Sequence, residues 1–92
     1  MPRLSEQDIE RISAAIAEPR RFKILRDLAN HPSAMTCGDI VDKHHVSQAT
    51  ISHHLKELEG AGLIEVVKEG KFSHVSLRRE VWAAYVARLA SL

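Results

Sequence analysis

The stretch Val46–Gly62, VSQATISHHLKELEGAG, decides how the rest of the chain is read. Ser47 is a good helix N-cap, because its hydroxyl can accept a hydrogen bond from a backbone N–H one turn in. Ile51, Leu55 and Leu58 follow at i, i+4 and i+7, a single apolar stripe on one helical face. Gly62 supplies the stop, since glycine enters the left-handed region without a Cβ clash. The remaining face carries Gln48, Ala49, Thr50, Ser52, His53 and Lys56, and no acid stands between Lys43 and Lys56. A polar helix start free of negative charge suits a DNA major groove, where small donors and acceptors meet base edges. This segment is expected to be a recognition helix.

Upstream, Thr36 is an N-cap with Asp39 as its acidic partner three residues on. The helix that follows should bury Ile40 and Val41 and stop near His44, with His45 and Val46 making a tight turn. The two helices form a helix-turn-helix over about residues 37–62. Further upstream, Ser5 and Asp8 open a helix whose face is Ile9, Ile12 and Ile16, ending near Ala17. Pro19 fits the first position of another, where its missing N–H costs nothing. Phe22, Leu25 and Leu28 are that helix's expected buried face, and Asn30-His31-Pro32-Ser33 breaks it.

Downstream the period changes. LIEVV (63–67) and FSHVSL (72–77) are β-rich runs flanking Lys68-Glu69-Gly70-Lys71, which predicts a hairpin with a charged tip over about residues 63–77. Val81, Trp82, Tyr85, Val86 and Leu89 then recur at helical spacing and predict a last helix over about 79–91. The fold class is mainly α with a small β-hairpin: three helices, recognition helix, two strands, helix, a winged helix-turn-helix in one domain spanning 1–92.

Ninety-two residues give one modest core, and a net charge of +1 excludes a histone-like polycation. A single cysteine forms no internal disulfide, the N-terminal MPRLSEQDIE lacks the apolar run of a signal peptide, and no stretch approaches a membrane span. The expectation is a cytoplasmic protein without a membrane partner. No Gly-rich phosphate loop, nucleophile elbow or paired carboxylates occur, so no enzyme and no cofactor are predicted. Ser52 and His53 are adjacent on a helix, where side chains diverge, and cannot act as a nucleophile–base pair.

For DNA contact the candidates are Ser47, Gln48, Ala49, Thr50, Ser52, His53 and Lys56, joined by Lys68 and Lys71 on the wing. Arg78 and Arg79 extend that wing set. Lys68, Lys71 and these arginines could equally be plain solubility charges. His53 near phosphates predicts stronger binding at lower pH. His54, three residues after Ile51, is expected to lean toward the core or the preceding helix. Arg20, Arg21, Lys23 and Arg26 form a solvated basic face from which Arg20 or Arg21 could reach a flanking phosphate. Two half-sites about one helical turn apart would require a two-fold pair of such domains. Trp82 and Tyr85 on a terminal helix fit an interface between copies better than a core this small; the alternative is that they close the monomer's own core.

The segments AEPRRFKILRDLA (17–29), VSQATISHHLKELEGAGLIEV (46–66) and EGKFSHVSL (69–77) resemble the ArsR/SmtB family of bacterial winged-helix repressors. The resemblance covers nearly the whole chain. It implies a homodimer that binds double-stranded DNA at an operator of imperfect dyad symmetry and represses transcription. It also places the dimer interface on the first and last helices, which here carry Ile9, Ile12, Ile16, Val81, Trp82, Tyr85 and Leu89. Metal-sensing members resemble one another in a Cys-x-Cys followed by Asp-Leu, where this chain has Thr36-Cys37-Gly38-Asp39-Ile40. One thiolate cannot close a soft-metal site alone, and no histidine follows His74 to build the alternative site on the last helix. A zinc site drawn from Cys37, His44 or His45 has no recognisable spacing, and no metal is predicted.

Cys37 admits two readings. At a helix start its thiol pKa would fall and make it a redox residue; a small buried thiol is the commoner fate and the one adopted. The rival to DNA binding is a winged helix serving as a protein-interaction module without specific DNA binding. Gln48, Ser52 and Lys56 on the recognition face favour DNA. With the metal positions empty, relief of repression by a partner protein or by changes in the protein's own level is at least as well supported as relief by an unknown inducer.

Overall fold

The computed structural model describes residues 2–92. The elements run α1 (Glu6–Ile16), α2 (Pro19–Ala29), β1 (Met35–Thr36), α3 (Cys37–His44), α4 (Gln48–Gly60), β2 (Ile64–Glu69), β3 (Phe72–Leu77) and α5 (Arg79–Ala90). The order expected from the sequence is present, with one addition. Met35 and Thr36 pair antiparallel with Val75 and His74, so the sheet has three strands in the order β1-β3-β2.

Local chemistry explains each boundary. Ser5 accepts from the Asp8 N–H while Asp8 accepts from the Ser5 N–H, a reciprocal cap at the start of α1. Thr36 and Asp39 make the same pair at α3. In both, the backbone hydrogen bond holds the aspartate below its ordinary pKa. Pro19 is the first residue of α2, and the cap is the Glu18 carboxylate, which accepts from the Arg21 N–H at 2.9 Å. Gly62 has φ +79°, the left-handed stop expected after α4. The hairpin turn is tighter than the sequence implies: the strands continue to Glu69 and from Phe72, leaving a two-residue Gly70-Lys71 turn. Gly70 at φ +63° supplies the positive φ such a turn needs in its first central residue.

The core joins all of these elements. Ile12, Ile24, Ile40, Ile51, Leu58, Leu63 and Val75 are fully enclosed. Each buried aliphatic side chain of this size contributes roughly 1.5–3 kcal/mol by leaving water. Two expected faces are corrected. Phe22 is 44% exposed, and α2 instead buries Ile24, Leu25 and Leu28, a stripe rotated by part of a turn. Val41 is only half-buried at the rim of the core, whereas Ile40 is enclosed.

The ends of the chain are tied together. Arg88 of α5 donates to the Leu4 carbonyl at 3.1 Å and pairs with the Glu6 carboxylate, closing α5 onto the start of α1. No helix among the described residues is long and apolar enough to cross a membrane.

Candidate nucleic-acid interface

α4 divides as its sequence pattern requires. Ile51, His54, Leu55 and Leu58 face inward, and Gln48, Ala49, Thr50, Ser52, His53 and Lys56 are all exposed. Ser47, also exposed, is less free than expected. Its hydroxyl accepts from the Thr50 N–H at 3.1 Å and lies 2.9 Å from the Thr50 hydroxyl. The pair caps α4 and fixes the Thr50 rotamer at the outermost turn. The first turn of α4 contains no acid, so neither its dipole nor its side chains repel a phosphate.

The approach of α4 is set by one unusual residue. His45 closes α3 in the left-handed region, at φ 54° and ψ 40°, with its N–H donating to the Val41 carbonyl at 3.0 Å. Histidine is among the residue types that enter this region more often than most, yet it does so at a cost that glycine avoids. The turn between the helices is therefore specific in geometry and mildly strained.

Behind α3 lies a polar cluster that the sequence did not disclose. His44 has only 7% of its side chain exposed, and its Nε2 sits 2.9 Å from Asp27 Oδ2 of α2. Arg20 Nη1 lies 3.4 Å from His44 Nδ1 and donates to the His44 carbonyl at 3.3 Å. An arginine only donates and an aspartate carboxylate only accepts, so the contact to Asp27 uses the Nε2–H of His44. Lys43 adds an ion pair to Asp27 at 3.4 Å. Arg20 thus braces α3 against α2, and Arg21 donates through Nε to the Ala15 carbonyl at 2.7 Å, locking the α1–α2 corner. Both guanidinium groups are thus engaged within the chain.

His54 is buried, as expected, but against the start of α2 instead of α3. Its Nδ1 has no hydrogen-bond partner and stands 3.7 Å from Glu18 Oε2. Burial pushes its imidazole below the ordinary value of 6.5, with the Glu18 carboxylate opposing.

On the wing, Lys68 lies near the end of β2 and Lys71 in the turn, both exposed, with Lys71 Nζ 6.0 Å from the centre of the Phe72 ring. Arg78 and Arg79 are exposed as well, each with a partner within the chain. Arg78 pairs with Glu80 at 3.5 Å, and Arg79 donates to the Ala29 carbonyl at 3.2 Å.

The residues assigned to an interface between copies separate into two groups. Ile12, Val81 and Tyr85 are buried within the single chain, the Tyr85 hydroxyl lying 2.8 Å from Ser13 Oγ of α1, so they hold α5 onto α1. Ile9, Ile16 and Trp82 are half-buried, and Leu89 is 43% exposed beside exposed Val86. The lone thiol of Cys37 packs against the core, and burial pushes its pKa up. Burial thus works against the thiolate that a redox role would use. Among the described residues, no group of three or more His, Cys, Asp or Glu side chains is placed to hold a metal ion.

The comparisons with known proteins agree with this architecture. A helix-turn-helix domain family matches residues 16–67. The transcriptional repressor SdpR of Bacillus subtilis (strain 168) is 40% identical over 67 residues, covering 73% of this chain and 72% of that protein. Among solved structures, an ArsR-family transcriptional regulator superposes with a TM-score of 0.83 at 22% identity, over 98% of this chain and 91% of that one. The homodimeric winged helix-turn-helix DNA-binding domain of a possible ArsR-family regulator from Mycobacterium bovis gives 0.76 at 22% identity, over 99% and 89%. These two likenesses show the shared fold. With the matched helix-turn-helix segment and the identity to a transcriptional repressor, they establish that the chain belongs to the ArsR/SmtB-type winged helix-turn-helix transcriptional regulators.

Proposed function

We propose that the protein is a homodimeric transcriptional repressor that reads an imperfect palindrome with α4 in the major groove and the Gly70-Lys71 turn against flanking phosphates. The observation that carries this reading is the exposed, acid-free first half of α4, held at a fixed angle by the His45 turn. Gln48 can pair with adenine through its amide, Thr50 and Ala49 offer methyl groups to thymine, and Lys56, Lys68 and Lys71 supply charge to the backbone. Ser52 and His53 complete the face as donors.

Self-association is supported by the apolar surface on Ile9, Ile16, Trp82, Val86 and Leu89, and by the homodimeric state of the Mycobacterium bovis relative. A two-fold pair would present two α4 helices to successive half-sites.

Fluorescence anisotropy against duplex DNA from upstream of the protein's own gene, titrated with salt, tests the reading. Tight binding that weakens with salt and exceeds binding to a scrambled duplex is the expected result. Equal binding to both duplexes would favour a protein-interaction role.

A further inference from the structure

We propose that the groove between α2 and α3 docks the DNA backbone flanking the half-site, with Lys23 and Arg26 on its phosphates. This makes α2 a third contact element beside α4 and the wing, and it rests on the repressor reading above. The groove has a volume of about 290 Å³ and is lined by Arg20, Lys23, Arg26, Asp27, Lys43 and His44. Four cations face a single carboxylate there, a local excess of three positive charges in a chain whose net charge is +1. The rest of the molecule is therefore acidic on balance, and the positive field is focused on this side.

The excess is not cancelled from within. Asp27 is spent on two partners, one oxygen facing Lys43 at 3.4 Å and the other His44 at 2.9 Å. Arg20 meets only the ring and carbonyl of His44, so no acid neutralises it. Lys23 and Arg26 are exposed and make no ion pair or hydrogen bond among the described residues. Arg20, Lys23 and Arg26 stand at i, i+3 and i+6 on α2, a row whose neighbours are about 5–6 Å apart at Cβ. The bonds to His44 anchor the first member of that row.

The lining also selects the class of occupant. All six residues are charged or are histidine, whereas the centre of a protein–protein interface is apolar and poor in lysine. A small-molecule site is likewise mostly apolar and encloses its ligand. A wholly polar, strongly positive and solvent-open surface is the make-up of a nucleic-acid contact. Position agrees with composition: the groove ends at His44, three residues before Ser47 caps α4. It shares no residue with the self-association surface on α1 and α5, so a dimer leaves it open.

The test is the salt dependence of anisotropy for the parent chain and for Lys23→Gln/Arg26→Gln, against the upstream duplex and its scrambled control. Both side chains are exposed and unpaired, so circular dichroism should not change. The double variant should bind both duplexes more weakly, and its slope of log affinity against log salt should fall by about two for each chain bound. Between about 50 and 200 mM salt it should therefore lose about tenfold less affinity per chain than the parent. The exchange Lys23→Arg/Arg26→Lys keeps both charges and should restore the parental slope. A parent that binds no duplex overturns the repressor reading and this docking together. A parent that binds, with the double variant equal to it in slope and affinity, overturns the docking alone; loss of tripolyphosphate binding in that variant would then reassign the groove to a free polyanion. A loss confined to the cognate duplex would make the two residues base readers and likewise overturn the proposal.

Discussion

His44 of α3 and Asp27 of α2 meet at 2.9 Å, with both side chains largely withdrawn from solvent. Removing the carboxylate strands the His44 Nε2–H and leaves Lys43 without its ion-pair partner. Asp27→Ala should therefore lower unfolding free energy by about 1–3 kcal/mol, and Asp27→Asn, which keeps an acceptor, by less. Urea melts of the two variants side by side check the ordering.

The left-handed residue at the helix-turn-helix corner makes a signed prediction. His45→Gly should leave stability unchanged or raise it by up to about 1 kcal/mol, because relief of the Cβ clash offsets glycine's extra unfolded-state freedom. His45→Val should cost about 1–2 kcal/mol or more, since a β-branched residue is least tolerated there. The pair is read from denaturant midpoints at constant slope.

Acid sensitivity should trace in part to His54. Its folded pKa lies below the unfolded value of 6.5, so the unfolded chain binds the proton first. Its share of stability is fully present above about pH 6.5 and is lost as pH falls through the depressed folded value. His54→Leu should flatten the fall in unfolding free energy between about pH 7 and pH 5 relative to the parent. An unchanged slope would move the origin of the acid loss elsewhere.

Base reading and backbone contact should separate by mutation. Gln48→Ala should cost about 1–3 kcal/mol against the cognate duplex and little against a scrambled one. Lys71→Gln should weaken both duplexes alike and reduce the slope of log affinity against log salt by about one. Anisotropy at several salt concentrations distinguishes the two patterns.

The outer face of α5 gives the last test. Leu89→Glu places a charge on a surface that is 43% exposed in the single chain, so the fold should persist while self-association weakens. Sedimentation velocity should show the monomer, and operator affinity should fall with it. A variant that sediments as the parent does would exclude this face as the interface.

The elements legible in the sequence are those whose determinants are local. Ser47, the Ile51–Leu58 stripe and Gly62 lie within one helix and its caps, so the helix they predict is the helix observed. The hairpin needed only its β-rich runs and Gly70. Phe22 misled because Phe22-Leu25-Leu28 and Ile24-Leu25-Leu28 are both helical stripes; which one turns inward depends on the neighbours of α2. Tyr85 likewise could not be assigned to core or interface until Ser13 was found opposite its hydroxyl. β1 left no signal, being two residues whose partners lie far along the chain. The His44–Asp27–Arg20 cluster was hidden for the same reason, since Asp27 and Arg20 meet His44 from another helix, 17 and 24 residues away along the chain.

Thr36 serves two structures at once: it ends β1, paired with His74 of the wing, and it caps α3. The wing is consequently not a detachable cassette. A graft that exchanged only residues 63–77 for the hairpin of another protein would have to keep the register of Val75 and His74 against Met35 and Thr36, or carry those two residues with it. Modularity in this fold is bounded by a single residue, and its smallest exchangeable unit is discontinuous in sequence.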